Sequence, residues 1–167
     1  MRIELPFLWQ YDEYSCGIKV AQMVLAYYKI SEAERNLSEA LNTSQDGYTR
    51  NENLVEIFSS YGLFCFENKN GSIDQVRDLV NQGFPVIVNF IEPTKNEGHF
   101  AVVIEVTRDK VILNDPGNGE GFEIGIDDFV ERWHGKYDGP SHWYLAVSKK
   151  EFPTVQLNST NLEIPKF

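Results

Sequence analysis

Residues 9–28 read WQYDEYSCGIKVAQMVLAYY and place a cysteine at the start of an apolar helix. From Cys16 onward the apolar residues recur at helical spacing, and Ser15 is positioned to cap the first turn. A thiolate at a helix N-terminus is favoured by the helix macrodipole and by the unpaired backbone N–H groups there. Cys16 is therefore a candidate nucleophile, with a small buried helix residue as the alternative.

Gln10 lies six residues before this cysteine. Its side-chain N–H is suited to stabilising the oxyanion that develops in acyl transfer, together with the backbone N–H of Cys16. The alternative is that Gln10 is an ordinary polar residue of the surface. The rest of the chain has to decide between these roles.

Length and composition predict one domain with a tail. The chain has 167 residues, of which 42% are hydrophobic, enough for one buried core and too few for two ordinary domains. We expect the domain to span residues 1–150. Residues 151–167 lack a clear period and are expected to form an extended tail, docked through Phe152, Leu157 and Ile164.

The charge of the chain argues against nucleic acid as a partner. The net charge is −10 at pH 7, whereas phosphate binding needs clustered Lys and Arg. Cationic peptides are more natural partners, although a negative surface also simply keeps a protein soluble. The sequence predicts no cofactor and leaves the oligomeric state open.

The two cysteines, Cys16 and Cys65, are too few for a disulfide framework, so both thiols are expected to be free. Cys65 lies in an apolar run, residues 63–66, which is typical of a buried strand, and a core role is favoured for it. No signal-peptide pattern opens the chain, and no apolar run is long enough to span a bilayer. The chain as given is expected to be cytoplasmic, or secreted if a leader has been removed.

Hydrophobic periodicity divides the chain into a mostly helical first half and a second half rich in strands. Helices are predicted over residues 16–28, 31–41, 51–60, 72–83 and 127–133, with capping boxes formed by Ser31 with Glu34 and by Ser72 with Gln75. Strands are predicted over residues 63–67, 85–91, 99–107, 110–114 and 143–148. This order favours an α+β fold in which the N-terminal helices pack against a C-terminal antiparallel sheet across a cleft.

A cysteine nucleophile needs a base, and histidine is the side chain tuned to exchange protons near neutral pH. His99 stands at the start of a predicted strand, where a rigid sheet would fix the imidazole. His134 ends a short helix, where capping of the last carbonyls is an adequate explanation, and His142 lies at a loop edge. His99 is therefore the favoured base.

Asp115 is the candidate that would orient this imidazole. A turn at residues 108–109 joins two predicted strands in a hairpin, so Asp115 comes opposite the start of the His99 strand. A carboxylate there would accept from the second ring nitrogen and stabilise the imidazolium. The alternative is that Asp115 only forms a tight turn in residues 115–119.

The four candidates carry more weight together than singly. Their order of Gln, Cys, His and Asp is that of papain-like thiol enzymes, with helix, strand and strand-end contexts to match. A zinc site is not expected, since the chain has no paired Cys motif and no two His residues at ligand spacing on one element.

Over about residues 5–147 the sequence resembles the bacteriocin-processing cysteine peptidases, the papain-like domains that precede many ABC exporters and remove double-glycine leader peptides. The resemblance rests on the spacing of Gln10 from Cys16 and Gly17, and on residues 23–28 (MVLAYY), 46–47 (DG), 61–63 (YGL), 99–103 (HFAVV), 114–116 (NDP) and 129–133 (FVERW). It implies a papain-like fold with Cys16 as nucleophile, His99 as general base and acid, Asp115 as its orienting residue and Gln10 as oxyanion donor.

Two features depart from the family pattern. Ser15 stands where members commonly have an acidic residue, and the chain lacks the transmembrane segments and nucleotide-binding domain of an intact exporter. The likeness is therefore to a stand-alone peptidase domain, and double-glycine specificity does not follow automatically from it.

Three functions are consistent with these residues. The leading hypothesis is a thiol peptidase that cleaves a peptide or protein segment through an acyl-enzyme on Cys16, after small residues such as Gly-Gly by family likeness. The same Cys-His-Asp site would also serve an acyltransferase or transpeptidase that passes the acyl group to an amine. The third is a catalytically silent peptide-binding module, which has no need to retain all four residues.

Overall fold

The computed structural model describes residues 1–43, 48–135 and 141–153, and its central element is a six-stranded sheet. The strands are β1 (Phe64–Asn68), β2 (Val86–Ile91), β3 (Gly98–Val106), β4 (Lys110–Asp115), β5 (Gly119–Gly125) and β6 (Tyr144–Ser148). They lie side by side in the order β1-β6-β2-β3-β4-β5, and every neighbouring pair is antiparallel. The interior strands are rich in Val, Ile and Leu because side chains on both of their faces are buried.

Five helices accompany this sheet in the described part of the chain. They are α1 (Cys16–Tyr27), α2 (Glu34–Ala40), α3 (Asn51–Ser60), α4 (Ile73–Asn81) and α5 (Ile126–Arg132). Helices α1 and α4 pack against β3, and α3 packs against β1. The predicted α+β class, with helices packed on an antiparallel sheet, is confirmed. Among the described residues, no helix has the length and apolar character needed to cross a membrane.

Strand β5 is an element that the periodicity did not predict. Its sequence, GEGFEIG, contains three glycines, which disfavour a strand locally. It forms because it pairs with β4, where Ile124 lies opposite Val111 and Phe122 opposite Leu113. Pairing with the preceding strand therefore decides this segment, and β5 becomes one edge of the sheet.

Ser15 does not cap α1 as predicted. Its backbone has φ −87° and ψ 4°, outside the extended conformation of a typical N-cap residue. Its hydroxyl is buried without a hydrogen-bond partner among the described residues. Instead the carboxylate of Asp12 accepts from the backbone N–H groups of Tyr14 and Ser15, both at 2.8 Å, and turns the chain into the helix.

The predicted capping box of Ser31 with Glu34 is also wrong. Helix α2 begins at Glu34, after Ala33, and no side chain of the described residues caps it. The Glu34 carboxylate binds the ammonium group of Lys19 at 2.7 Å instead, so a tertiary ion pair overrides the local motif. By contrast, the box of Ser72 with Gln75 is present at the start of α4.

Cys65 lies on an edge strand rather than a fully buried one. In β1, Phe66 is 5% exposed whereas Phe64, at the start of the strand, is 41% exposed. Cys65 is half-buried, and both cysteines are free thiols.

Only residues 151–153 of the predicted tail are described. Among them, Phe152 packs against Phe66 and Phe84, with ring centroids 5.6 and 4.9 Å apart. Leu157 and Ile164 lie outside the described residues. The division into a domain of residues 1–150 and a tail of residues 151–167 stays a prediction.

The two capping-box sequences give a matched pair for a stability measurement. Ser72→Ala removes a side chain that accepts from the backbone N–H of Gln75, and should lower the free energy of unfolding by about 1 kcal/mol. Ser31→Ala removes an exposed hydroxyl that caps no helix, and should change the free energy of unfolding by less than about 0.5 kcal/mol. Urea denaturation measures both; equal losses would contradict the assignment of a cap to Ser72 alone.

Candidate active site

The pairing of β3 with β4 brings His99 and Asp115 together. Val102 lies opposite Asn114 in this ladder, so the next position along each strand sets Ala101 beside Asp115. His99 lies two residues before Ala101 in β3, so its side chain is on the same face of the sheet as that of Asp115. His99 Nε2 and Asp115 Oδ1 lie 2.6 Å apart, and both side chains are buried.

The Asp115 carboxylate is wholly buried and has several hydrogen-bond donors around it. Oδ1 also accepts from the backbone N–H groups of Gly117 at 2.8 Å and Asn118 at 3.0 Å, and Oδ2 accepts from Asn118 Nδ2 at 3.1 Å. Burial alone would raise the pKa of Asp115, but the contact with His99 and these donors outweigh burial and lower it. The Asp115 side chain thus both closes the turn after β4 and holds the imidazole of His99.

The side chain of Cys16 lies on the other side of His99, close enough to raise the pKa of the imidazole. Because Asp115 holds Nε2, Nδ1 is the ring nitrogen available to the sulfur. Burial acts to lower the pKa of His99, but the hydrogen bond to Asp115 and the nearby side chain of Cys16 outweigh it and raise the pKa to about 10. Cys16, His99 and Asp115 therefore form one connected line of side chains.

Cys16 is the first residue of α1 and is 6% exposed. The next residue has no room for a side chain, since a Cβ on Gly17 would lie 2.3 Å from Thr49 Oγ1. Thr49 is itself buried, and its hydroxyl lies 2.9 Å from that of Thr43. The start of α1 is therefore packed tightly against the segment that leads into α3.

Gln10 is held near this line through its backbone and its side chain. Its backbone N–H donates to the carbonyl of Pro116, the residue after Asp115, at 2.9 Å. Its Nε2 donates to the carbonyl of Asp12 at 2.8 Å, while Oε1 is buried and accepts no hydrogen bond from the described residues. One N–H of the amide group thus fixes the local chain, and the second donates to no other group in the described part of the chain.

A cleft of about 290 Å³ opens beside His99. Its lining includes Trp9, Gln10, Glu13, Lys95 and Gly117, but Cys16 does not line it. Glu13 and Lys95 form an ion pair at 3.7 Å between the segment after β2 and the segment before α1.

Asn118 and Glu92 are polar cleft residues that no sequence pattern singled out. Asn118 Nδ2 donates to Asp115 Oδ2 and also to Glu92 Oε2, the latter at 3.3 Å. Glu92 is 5% exposed, and the backbone N–H groups of Thr94 and Lys95 and the Asn118 amide lower its pKa against the effect of burial. The only sequence signal for Asn118 was the turn composition after Asp115. Turn composition does not predict a hydrogen bond from Asn118 to Glu92, the residue after β2.

The other two histidines interact elsewhere. The His134 ring contacts the carbonyl of Gly135 at 3.0 Å, not the last helix carbonyls, so its interpretation as a helix cap is wrong. His142 has φ 57°, stacks on Trp133 and donates from Nδ1 to the carbonyl of Gly71 at 3.1 Å. Within the described ranges, no three His, Cys, Asp or Glu side chains are grouped so that they could hold a metal ion.

The model of the peptidase C39 family matches residues 4–137, a range that includes all four candidate residues. This chain belongs to the peptidase C39 family. It is a cysteine peptidase with a papain-like fold.

A curated relative of this C39 peptidase is the lactococcin-G-processing and transport ATP-binding protein LagD of Lactococcus lactis subsp. lactis. The two are 27% identical over 128 residues, which cover 77% of this chain and 18% of LagD. This chain thus spans less than a fifth of the length of that relative.

Three solved structures share the fold of this C39 peptidase. The peptidase domain of Streptococcus ComA, a bifunctional ABC transporter involved in quorum sensing, has a TM-score of 0.69 and 21% identity over 86% of this chain and 98% of that one. A double glycine motif protease from an AMS/PCAT transporter, in complex with the leader peptide, has a TM-score of 0.70 and 22% identity over 89% and 94%. A C39-like peptidase from Bacillus anthracis has a TM-score of 0.72 and 15% identity over 91% and 100%.

The two free thiols predict a selective labelling pattern. Cys65 is the more exposed, but burial raises its pKa, whereas Cys16 has His99 beside it to take its proton. At pH 7, iodoacetamide should modify Cys16 about tenfold faster than Cys65, as followed by peptide-level mass spectrometry. Cys65→Ala should leave the fast phase unchanged and Cys16→Ala should remove it; equal rates at both thiols would contradict the assignment.

Proposed function

We propose that this C39 peptidase cleaves a peptide bond through a thioester on Cys16. The observation that carries the proposal is the position of His99, which contacts Asp115 through Nε2 at 2.6 Å and lies near enough to the Cys16 side chain for that side chain to raise its pKa. A nucleophile, a base and a group that orients the base are thus held in sequence by α1, β3 and the end of β4.

The proton path follows from the two ring nitrogens of His99. Because the pKa of His99 is raised to about 10, its ring is an imidazolium at neutral pH: Nε2–H donates to Asp115, and Nδ1 carries the proton that Cys16 gives up when its sulfur attacks the substrate carbonyl carbon. This imidazolium returns that proton to the leaving amine as the C–N bond breaks and the thioester forms. Water then attacks the thioester with His99 as base, and the acid product leaves Cys16 as a thiol.

The oxyanion formed in each step needs donors that are in place beforehand. We propose the second N–H of the Gln10 amide and the backbone N–H of Cys16 for this role. Gln10 is suited to it because its other N–H and its backbone are already held by Asp12 and Pro116.

For the substrate, we propose a peptide cut after a Gly-Gly pair. The name of LagD as a lactococcin-G-processing protein and the leader-peptide complex of the double glycine motif protease support this choice. The net charge of −10 and the carboxylates of Glu13 and Glu97 at the cleft favour a basic peptide.

The test is cleavage of synthetic peptides that carry one Gly-Gly pair, followed by mass spectrometry. We expect cleavage after the second glycine, and a loss of about 10⁴-fold or more in kcat for Cys16→Ala and for His99→Ala. Cys65→Ala is the matched control and should keep full activity. Activity retained in Cys16→Ala would overturn the proposal, and amide products formed in preference to acid when an amine is added would indicate an acyltransferase.

The raised pKa of His99 predicts the pH dependence of cleavage. The imidazolium must protonate the leaving amine, so activity should fall as pH rises through the pKa of about 10. Asp115→Asn removes the carboxylate that raises this pKa, and should move the alkaline limb of kcat to lower pH by about 1 to 3 units. Asparagine keeps an oxygen for the backbone N–H groups of Gly117 and Asn118.

Asp127→Asn removes the same charge from an exposed residue at the start of α5, and should leave the limb in place. An alkaline limb that Asp115→Asn leaves unmoved, or moves to higher pH, would contradict the role of Asp115.

A further inference from the structure

Lys19 is a buried charge in the helix that carries Cys16. It lies one turn after the cysteine, and its side chain is 9% exposed. Its Nζ lies 2.7 Å from Glu34 Oε2 and 3.3 Å from Gln22 Oε1. Because a buried ion pair is seldom more stabilising than well-packed apolar side chains, fold stability alone does not account for Lys19 and Glu34.

The pair holds a residue of the cleft segment, Tyr11. The second carboxylate oxygen of Glu34 accepts from the Tyr11 hydroxyl. The Tyr11 ring centroid lies 5.2 Å from Lys19 Nζ, within the range of a cation–π contact. Burial acts to raise the pKa of Glu34, but the hydrogen bonds from Lys19 and Tyr11 lower it, so Glu34 is an anion shared by both.

Tyr11 has little other support. It is 72% exposed, so core packing does not fix it. Its neighbour Gln10 is fixed on the other side by the backbone hydrogen bond to Pro116, next to Asp115. Gln10 therefore lies between one attachment to the end of β4 and another to helices α1 and α2.

We propose that Tyr11, Lys19 and Glu34 are positioning residues that keep the Gln10 amide at the oxyanion site. This inference rests on the proposed function. A small misplacement of a preorganised donor costs transition-state stabilisation rather than substrate affinity. Loss of the clamp formed by these three residues should therefore lower kcat and leave KM nearly unchanged.

The variant that tests the clamp is Tyr11→Phe, which keeps the ring over Lys19 and removes only the hydrogen bond to Glu34. We expect kcat on a Gly-Gly peptide to fall about tenfold, with KM within about twofold. Tyr14→Phe is the matched control, since it removes a second tyrosine hydroxyl from the same segment, and should leave both constants unchanged. A rise in KM with constant kcat would assign Tyr11 to substrate binding and overturn the proposal.

A double-mutant cycle then separates action through Gln10 from direct action. Gln10→Ala alone should lower kcat by about 10²- to 10³-fold, leaving activity that single-turnover assays can measure. Adding Tyr11→Phe to Gln10→Ala should change kcat by less than about twofold, because the donor that Tyr11 positions is already gone. A full tenfold loss in that background, or no loss from Gln10→Ala alone, would overturn the proposal.

A readout that needs no activity keeps the clamp testable if the peptidase proposal fails. Trp9 is 59% exposed, whereas Trp133 and Trp143 are each 1% exposed, so acrylamide quenching of tryptophan fluorescence mainly reports the cleft segment. Tyr11→Phe should increase this quenching and the amide hydrogen exchange of residues 9–14, with the urea midpoint unchanged. Unaltered quenching and exchange would refute the clamp, whereas absence of cleavage by the wild-type chain would refute only the proposed function.

Discussion

The buried contact between His99 and Asp115 is the interaction on which the rest of the site depends. A wholly buried carboxylate is costly unless it is paired and hydrogen-bonded. Here the imidazole supplies one partner, and the backbone of the turn after β4 supplies two more. The turn that leads into β5 is therefore shaped around this anion, and the Pro116 carbonyl in the same turn fixes the backbone of Gln10.

This dependence explains how the cleft is assembled from distant parts of the chain. Asn118 extends from the same turn to Glu92 at the end of β2. The segment before α1 reaches the cleft through Gln10, and an exposed ion pair between Glu13 and Lys95 links it to the segment after β2. Such an exposed ion pair contributes little to stability. The buried turn after β4 therefore does more than this pair to fix the segments that line the cleft.

The features that the sequence predicted well are those with local causes. A helix start at Cys16, a strand start at His99 and a hairpin turn before Asp115 each have signals within a few residues. Antiparallel geometry then requires the last two to be neighbours, which is why their contact was predictable without coordinates.

The features that were missed depend on pairings that the residue patterns themselves do not specify. Strand β5 is glycine-rich and exists because β4 offers a partner. Ser31 and Glu34 match a capping box, yet Glu34 binds Lys19 from another helix. Lys19 itself gives no local sign of burial, since a single lysine in an amphipathic helix is usually assigned to the solvent face. Ser15 fails as a cap because Asp12 turns the chain first.

The contact between Gly17 and Thr49 has a consequence for how the position of Cys16 responds to change elsewhere. With no Cβ between them, the backbone beside Cys16 lies directly on a threonine that belongs to the entry of α3. Any replacement that shifts this entry would move the thiol relative to His99, even though it lies far along the chain. The distance between the Cys16 sulfur and the His99 imidazole is thus set partly by a helix that carries neither residue.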